Sequence, residues 1–252
     1  MRIAAIYDIH GNAPALEAVL QDIAHDHVSL IVVGGDVLAG PMPRESFVLL
    51  LDCKTPMLFI RGNADREVIA VMRGEDIGEM PKSVREVVIW VAQQLDPWHQ
   101  ELLSGWPETL SLSVSGLGEV LFCHATPQSD TVIFTRLTPE TRLRPIFNEV
   151  SESLVVCGHT HMQFERMIGD VRVVNAGSVG MPYGETGAHW LLLDAGVEFK
   201  NTAYDLEAAA ERIRAANYPQ AEVFASDNVL STPSEAEALE IFEPMTLGGN
   251  VA

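Results

Sequence analysis

The chain has 252 residues, 47% of them hydrophobic, which suits one large domain with a sizeable core. Its 35 acidic and 16 basic residues give a formal net charge of -19, which argues against non-specific binding to nucleic acids or anionic membranes, since both need a basic surface. The three cysteines are odd in number and lack CxxC spacing, so a disulfide framework is not indicated and a reducing cytoplasm is expected.

The first third of the chain alternates apolar, strand-like runs with amphipathic helical segments, the pattern of an α/β sheet. Strands are predicted over 3–7, 30–33 and 57–60, and helices from Asn12, over 44–51 and from near Asp65. A longer helix is predicted over 83–95, where Pro97 stops it. The segment from about 83 to 106 is interpreted as a helical insertion that forms a cap and contributes to the specificity pocket.

From Leu110 the apolar runs become shorter and predict a second sheet packed on the first. Strands are predicted over 110–114, 120–123, 154–157, 164–168, 171–174 and 189–193, and a helix over 139–150. The core is predicted to span 1–204. The remaining segment, 205–252, is predicted to begin with a C-terminal helix and to become an irregular tail after Pro219. Because no repeat or linker divides the chain, 1–252 is predicted to be one domain, with neither a signal peptide nor a membrane span.

Residues of metal-ligand type follow five of these strands, next to glycines in nearly every case. They are Asp8 and His10, Asp36, Asn63, His124, and His159 with His161. Sites in α/β proteins collect at the carboxyl ends of strands, so the series predicts a site for two divalent metal ions. Oxygen and nitrogen ligands without thiolate suit Mn, Fe, Zn or Co, with Mn favoured.

The spacing within the series indicates how the ligands could be shared. Asp8 and His10 lie two apart in an extended segment, which points both side chains the same way and lets them bind one metal. His159 and His161 have the same spacing. Asp36 follows two glycines and can bridge two ions, so the predicted site is dinuclear.

Together these motifs resemble the calcineurin-like metallophosphoesterase superfamily, most closely its compact bacterial and archaeal phosphodiesterase branch. They are Asp8-Ile9-His10, Gly35-Asp36, Gly62-Asn63-Ala64-Asp65, Cys123-His124, Gly158-His159-Thr160-His161 and, as a further signature, Asn175-Ala176-Gly177-Ser178-Val179-Gly180. The resemblance runs from Met1 to about Asp194. It implies a four-layer αββα sandwich with two packed mixed β-sheets.

The resemblance also implies the distribution of ligands and a reaction. One ion would be bound by Asp8, His10 and His161, the other by Asn63, His124 and His159, with Asp36 bridging the two. A hydroxide bridging the metals would attack phosphorus in line with the leaving oxygen, so no protein nucleophile is needed. The predicted catalytic residues are Asp36, Asn63, His124 and Asp65, and the predicted substrate contacts are Arg66 and Asn63.

One position departs from the pattern of many superfamily members. Where they have a histidine after the ligand asparagine, this chain has Ala64, which cannot donate a proton. We therefore expect a preference for phosphodiesters, or for leaving groups of low pKa, over simple alkyl monoesters.

Several residues near the motifs have two interpretations. Arg66 can contact a substrate phosphate through its guanidinium fork, or form an ion pair with Glu67 or Asp65, and the sequence does not decide between them. Asp65 is expected to orient a ligand or the loop. His189, in an alternating strand, is interpreted as structural.

The expected partner is a small anionic phosphate ester, and the oligomeric state is open. Two alternatives to a phosphodiesterase remain. The first is a phosphomonoesterase or phosphoprotein phosphatase, although a chain of charge -19 has few basic residues for docking a phosphorylated acidic peptide. The second is a metal-binding scaffold without catalysis, against which the intact set of seven ligands argues.

Overall fold

A computed structural model describes residues 2–247, in which two mixed sheets of five strands each are found. The strands of the first sheet are β1 (Ile3–Ile6), β2 (Leu30–Val33), β3 (Met57–Phe59), β9 (Ala188–Leu193) and β10 (Val197–Thr202). Their order is β10-β9-β1-β2-β3, with β1, β2 and β3 parallel and β9 antiparallel to both of its neighbours. The α/β sheet predicted for the first third of the chain is confirmed.

The second sheet is built from the later strands. They are β4 (Thr109–Val114), β5 (Gly118–Cys123), β6 (Leu154–Cys157), β7 (Gln163–Ile168) and β8 (Val171–Ala176). Their order is β4-β5-β6-β8-β7, in which β5, β6 and β8 are parallel and the two edge strands are antiparallel to them.

Nine α-helices lie in the described part of the chain, and most flank the two sheets. They are α1 (Ala13–His25), α2 (Pro43–Asp52), α3 (Asn63–Met72), α4 (Lys82–Gln94), α5 (Pro97–Ser104), α6 (Glu140–Phe147), α7 (Leu206–Arg214), α8 (Ala221–Ala225) and α9 (Glu235–Phe242). Asn12 caps α1 as predicted, accepting a hydrogen bond from the N–H of Ala15 at 3.2 Å, and Pro14 lies in its first turn.

Three apolar clusters separate four layers, as β1 illustrates. Ile3 and Ala5 face the second sheet and pack with Phe122 and Val156, whereas Ala4 and Ile6 face the helices on the other side. A third cluster lies between the outer face of the second sheet and helices α6 and α9. This alternation with a period of two buries both faces of a central strand. The four-layer αββα prediction is confirmed.

The structure differs from the sequence prediction in three segments. Strand β10 was not predicted, because Glu198, Lys200 and Asn201 make it polar, as suits an edge strand with one solvated face. The tail after Pro219 is not irregular: it contains α8, a π-helical turn over Ser226–Leu230, α9 and a 3-10 turn over Glu243–Met245. Residues 248–252 of the predicted tail lie outside the described residues.

The tail is helical for reasons that hydrophobic periodicity does not show. Ser234 and Glu237 form a capping box at the start of α9, and Ala238 and Leu239 are buried against the second sheet. Helices this short gain their stability from packing rather than from propensity.

The predicted helical insertion is helical, but its position differs from that of a cap. Helices α4 and α5 pack against α2 and α3, and their buried residues join the cluster on the outer side of the first sheet. Trp106 stacks on Phe59 with ring centroids 4.7 Å apart. The segment therefore belongs to the outer helix layer. Within residues 2–247, no helix is long and apolar enough to cross a membrane.

Candidate metal centre

The seven predicted metal ligands come together at one edge of the two sheets. Each follows a strand: Asp8 and His10 follow β1, Asp36 follows β2, Asn63 begins α3 after β3, His124 follows β5, and His159 and His161 follow β6. Since β1, β2 and β3 are parallel, as are β5 and β6, their carboxyl ends share an edge. All seven side chains lie in two adjoining groups.

Asp8, His10 and His161 form the first group. The Nε2 atoms of the two histidines are 3.1 Å apart, and Asp8 Oδ1 lies 3.4 Å from Nε2 of His161 and 3.9 Å from Nε2 of His10. Three ligand atoms that converge in this way could hold one ion.

The second group contains Asp36, His124 and His159, with Asn63 beside it. Asp36 Oδ2 is 3.4 Å from His124 Nε2. One side-chain amide atom of Asn63 lies 3.2 Å from His124 Nε2 and 3.1 Å from His159 Nδ1. Without a cation, these neighbours and the carbonyl oxygen of Asp130 at 3.2 Å suit the NH₂ group, so Asn63 would bind a cation here with its amide turned to place the oxygen at this position.

Hydrogen bonds to the backbone orient three of the histidines. Nδ1 of His10, His124 and His161 lies 3.1, 2.9 and 3.0 Å from the carbonyl oxygens of Ala39, Gly34 and Met181, respectively. A carbonyl can only accept, so Nδ1 carries the proton and the lone pair of Nε2 points into the site. This arrangement fixes the tautomer required of a metal ligand.

The two carboxylates are held in a similar way, with one oxygen bound and the other left for the site. Asp8 Oδ2 accepts the backbone N–H of His159 at 2.8 Å, and Asp36 Oδ1 accepts that of Ala64 at 2.9 Å. Asp8 Oδ1 is buried without a hydrogen-bond partner among residues 2–247. A buried polar atom without a partner is costly, and a bound cation would satisfy this one. The donor set therefore fits two divalent metal ions.

The pKa values in the site show how its charge is balanced when protons are the only cations. Burial lowers the pKa of His124, but Asp36 and Asp8 outweigh burial and raise it to about 10. Burial and the neighbouring His124 lower the pKa of His159 to about 4. Burial raises the pKa of Asp36, yet the surrounding imidazoles outweigh this effect and hold it below its usual range. Metal binding requires neutral imidazoles, so bound ions would replace the proton on His124.

Strained backbone accompanies these ligands. Five of the seven have positive φ, namely Asp8 (52°), His10 (46°), Asp36 (51°), His159 (67°) and His161 (57°). Residues other than glycine seldom adopt this conformation, and it concentrates at functional sites. The side chains of Asp8 and His10 were predicted to point the same way because their segment is extended. That reason is wrong, because the segment is not extended. The two side chains converge through two left-handed residues.

Asp65 lies next to the ligands and was predicted to be catalytic. Its Oδ2 accepts the N–H groups of Asp36 at 2.8 Å and Gly62 at 3.1 Å, and its Oδ1 accepts that of Val37 at 3.0 Å. With both oxygens engaged by backbone, Asp65 joins the Asp36 loop to the Asn63 loop. It is a positioning residue rather than a group that faces the reacting atoms.

Replacing Asp65 by asparagine should lower metal affinity and kcat/KM by about 10- to 100-fold, the usual effect of losing an outer contact to a ligand. An asparagine NH₂ group cannot accept the N–H bonds that one carboxylate oxygen now takes. Metal titration by calorimetry measures the loss, and the melting temperature of the metal-free protein separates it from simple destabilisation.

Asp205→Asn is the matched control for this change. Asp205 also accepts a backbone N–H, that of Ala208 at 3.0 Å, but it does so at the exposed start of α7. If both variants bind metal with wild-type affinity, Asp65 does not position the ligand loops.

Arg66 has a partner that the sequence did not suggest. Its Nε and one terminal nitrogen donate to the two carboxylate oxygens of Asp130 at 2.7 and 3.2 Å, rather than to Glu67 or Asp65. The backbone oxygen of Asp130 lies 3.2 Å from the Asn63 amide, which places this ion pair beside the second group. Within residues 2–247, no hydrogen bond engages the other terminal nitrogen of Arg66.

The 175–180 segment supports the site without supplying ligands. Ser178 Oγ donates to the carbonyl of Asp8 at 2.7 Å and accepts from the N–H of Met181 at 2.8 Å, so its role is structural. Asn175, which the sequence identified only as part of a signature, donates to the carbonyl of Gly158 at 2.6 Å and to Thr160 Oγ1 at 3.1 Å. Its buried amide supports the loop that carries His159 and His161.

A family model described as the calcineurin-like phosphoesterase superfamily domain matches residues 1–197. The phosphodiesterase YfcE of Escherichia coli (strain K12) is 25% identical over 203 residues, which cover 77% of this chain and 88% of YfcE.

Two solved structures share the fold. The hypothetical protein PH1004 from Pyrococcus horikoshii OT3 superposes with a TM-score of 0.77 and 22% identity, covering 89% of this chain and 97% of that one. A metallophosphoesterase from Sphaerobacter thermophilus has a TM-score of 0.71 and 24% identity, covering 92% and 98%. At these identities the superpositions establish the fold alone.

Proposed function

The chain belongs to the calcineurin-like phosphoesterase superfamily, which makes it a hydrolase of phosphoric esters, and we propose that it hydrolyses phosphodiesters at a centre of two divalent metal ions. The relative YfcE, which is called a phosphodiesterase, supports the preference for diesters. Manganese is the proposed metal, although the mixed oxygen and nitrogen ligands also suit Fe, Zn and Co.

The position of Asp36 carries the dinuclear proposal. Its Oδ2 lies 3.8 Å from Nε2 of His10 in the first group and 3.4 Å from Nε2 of His124 in the second. One carboxylate oxygen thus faces both groups. In the proposed assignment Asp8, His10 and His161 would hold the first ion, Asn63, His124 and His159 would hold the second, and Asp36 would be available to both.

Two bound divalent ions would supply Lewis-acid chemistry, activating water and neutralising charge on the phosphoryl group. The chain contributes a fixed frame, because hydrogen bonds to the backbone orient three imidazoles and both carboxylates before substrate arrives. A frame that is already oriented avoids reorganisation during the reaction. The two carboxylates offset only half of the charge of two divalent ions, so the centre attracts an anionic ester despite the net charge of -19.

Ala64 decides which esters react well. It is 7% exposed, and its backbone N–H donates to Asp36, but its methyl group cannot protonate a leaving group. Esters whose leaving group departs without a proton should therefore be the better substrates.

We expect kcat/KM for bis(p-nitrophenyl) phosphate to exceed that for glycerol phosphate by about tenfold or more, given the typical contribution of a general acid. The assay compares aryl diesters, aryl monoesters and alkyl monoesters with Mn²⁺ added. Comparable kcat/KM values for aryl and alkyl monoesters, with a clear acid-catalyst limb in the pH profile, would contradict the role given to Ala64. Absence of metal-dependent hydrolysis of any ester would favour a scaffold instead.

Two variants sharpen this comparison. Ala64→His should raise the rate for alkyl monoesters relative to aryl diesters and add an acid limb to the pH profile. Ala64→Phe has a ring of similar size without a transferable proton and should do neither.

Arg66 is proposed to contact the substrate while Asp130 holds two of its nitrogens. It lies one turn after Asn63 on α3, so the remaining terminal nitrogen can reach a phosphoryl oxygen near the second group.

A further inference from the structure

A cavity of about 370 Å³ lies beside the metal centre and has no role in the proposed metal binding. It is lined chiefly by Gln163, Tyr183, Glu185, His189, Asn201 and Glu235. Its volume is in the range of small-molecule sites.

The cavity adjoins the first group of ligands through Tyr183. The Tyr183 ring packs on the imidazole of His161, with ring centroids 6.0 Å apart and an angle of 29° between the ring planes. The backbone N–H of Tyr183 donates to the carbonyl of His161 at 3.4 Å. His189 lies near the start of β9, which runs antiparallel to β1 with Leu191 opposite Ala5. That end of β9 therefore lies at the same sheet edge as Asp8.

The lining offers mainly hydrogen-bond acceptors. Glu185 and Glu235 contribute carboxylates; that of Glu235 also accepts from Arg136, so Glu185 supplies the carboxylate without such a partner within residues 2–247, and no Lys or Arg of the described chain is among the lining residues. The NH₂ group of Gln163 donates to three backbone carbonyls, which leaves its amide oxygen as the remaining polar atom. His189 is 6% exposed, and its Nδ1 is buried without a partner within residues 2–247. Such a surface favours a ligand rich in donors and opposes an anion.

Part of this wall comes from outside the segment that the family model matches, which ends at 197. Asn201 lies on β10, and Glu235 begins α9. The segment before α9 is fixed to the Tyr183 loop, because Gly184 donates its N–H to the carbonyl of Pro233 at 3.0 Å and Thr232 Oγ1 donates to the carbonyl of Gly184 at 2.8 Å. The C-terminal segment thus completes the cavity.

We propose that this cavity binds one of the two alcohol groups of the phosphodiester and selects an alcohol that donates hydrogen bonds and carries no negative charge. The inference rests on the proposed function and deepens it by giving the substrate class. An additional amino or hydroxyl group on the alcohol can donate a hydrogen bond to the carboxylates. A second phosphate or a carboxylate on the alcohol is repelled by them.

Four p-nitrophenyl diesters that share one leaving group test this selection. Their second groups are propyl, 3-hydroxypropyl, 3-aminopropyl and 2-carboxyethyl. We expect kcat/KM to be about tenfold higher for the hydroxypropyl and aminopropyl esters than for the carboxyethyl ester, with propyl between them. If kcat/KM rises more for the aminopropyl ester than for the hydroxypropyl ester, charge rather than hydrogen bonding is the main basis of the selection. Equal values for all four would overturn the inference.

Glu185→Gln removes one carboxylate of the cavity and keeps its size. We expect this variant to lose most of the preference for the aminopropyl ester over the carboxyethyl ester. Glu119→Gln is the control: it changes the net charge equally at an exposed position near the start of β5, at the opposite edge of the sheet. The same loss in both variants would overturn the inference.

Binding of the products gives a readout that does not depend on turnover. In calorimetry, 3-aminopropyl phosphate should bind the wild-type protein about tenfold more tightly than 2-carboxyethyl phosphate, and Glu185→Gln should remove the difference. Equal affinities in the wild-type protein would overturn the inference even if diesters are hydrolysed. If the difference is present but no ester is hydrolysed, the proposed function fails and the cavity assignment stands.

Discussion

Replacing Asp36 by asparagine should lower kcat/KM for an aryl diester by about 10³-fold or more, because metal ions contribute several kcal/mol to the stabilisation of such a transition state. Asp36 Oδ2 faces both ligand groups, at 3.8 Å from His10 and 3.4 Å from His124. The amide keeps the size of the side chain but removes the negative charge through which two cations could share it.

The amount of bound metal measures the same prediction directly. Wild-type protein should hold two ions per chain, and Asp36→Asn should hold fewer at equal free Mn²⁺. His161→Ala should lose the ion of the first group, since Asp8 and His10 then lack their third partner. Asp170→Asn, an exposed change in the turn between β7 and β8, is the control. Full activity and two ions per chain in Asp36→Asn would refute the shared carboxylate.

Replacing Gly158 by alanine should reduce metal affinity by about 100-fold and lower the free energy of unfolding by about 1–3 kcal/mol. A Cβ at this position would lie 2.4 Å from Asp8 Oδ2 and 2.6 Å from Cδ1 of Tyr7. Either the loop or Asp8 must move, and Asp8 Oδ2 is the atom that accepts the N–H of His159. The substitution therefore disturbs the geometry of the first group without replacing any of its ligands.

Gly196→Ala is a matched control for Gly158→Ala. Apart from its two chain neighbours, a Cβ at Gly196 would have no atom of residues 2–247 within 4 Å, and neither glycine has positive φ, so the two substitutions differ mainly in the space available. Metal titration, thermal unfolding and circular dichroism separate loss of the site from loss of the fold. Wild-type metal affinity in Gly158→Ala would show that the loop yields at little cost.

Much of the fold followed from local pattern. The strands that supply ligands were predicted because their apolar residues are buried on both faces, as in β1 and β6. Strand β10 and helix α9 were missed because an edge strand and a short capped helix carry little apolar periodicity. That periodicity also does not show where a helix packs relative to other elements, as the positions of α4 and α5 illustrate.

The ligand series was predictable because parallel strands place their carboxyl ends at a common edge, so residue type and position after a strand were enough to indicate a shared site. The local geometry was not. Asp8, His10 and Asp36 reach the site through left-handed backbone that hydrogen bonds and packing must hold. Asp65 has the residue type of a catalytic group, yet its three backbone contacts assign it to positioning.

The sequence by itself therefore determined which side chains could bind metal, since strand-end position and chemical type are properties of single segments. Only the tertiary structure decided which of them meet, because the contacts join residues far apart in the chain. His10 and His161 are separated by 151 positions, and Arg66 and Asp130 by 64. The cavity next to His161 likewise takes its walls from β7, β9, β10 and α9. Such groups come together because whole layers of sheets and helices pack on one another, and the local hydrophobic pattern of the sequence does not show how they pack.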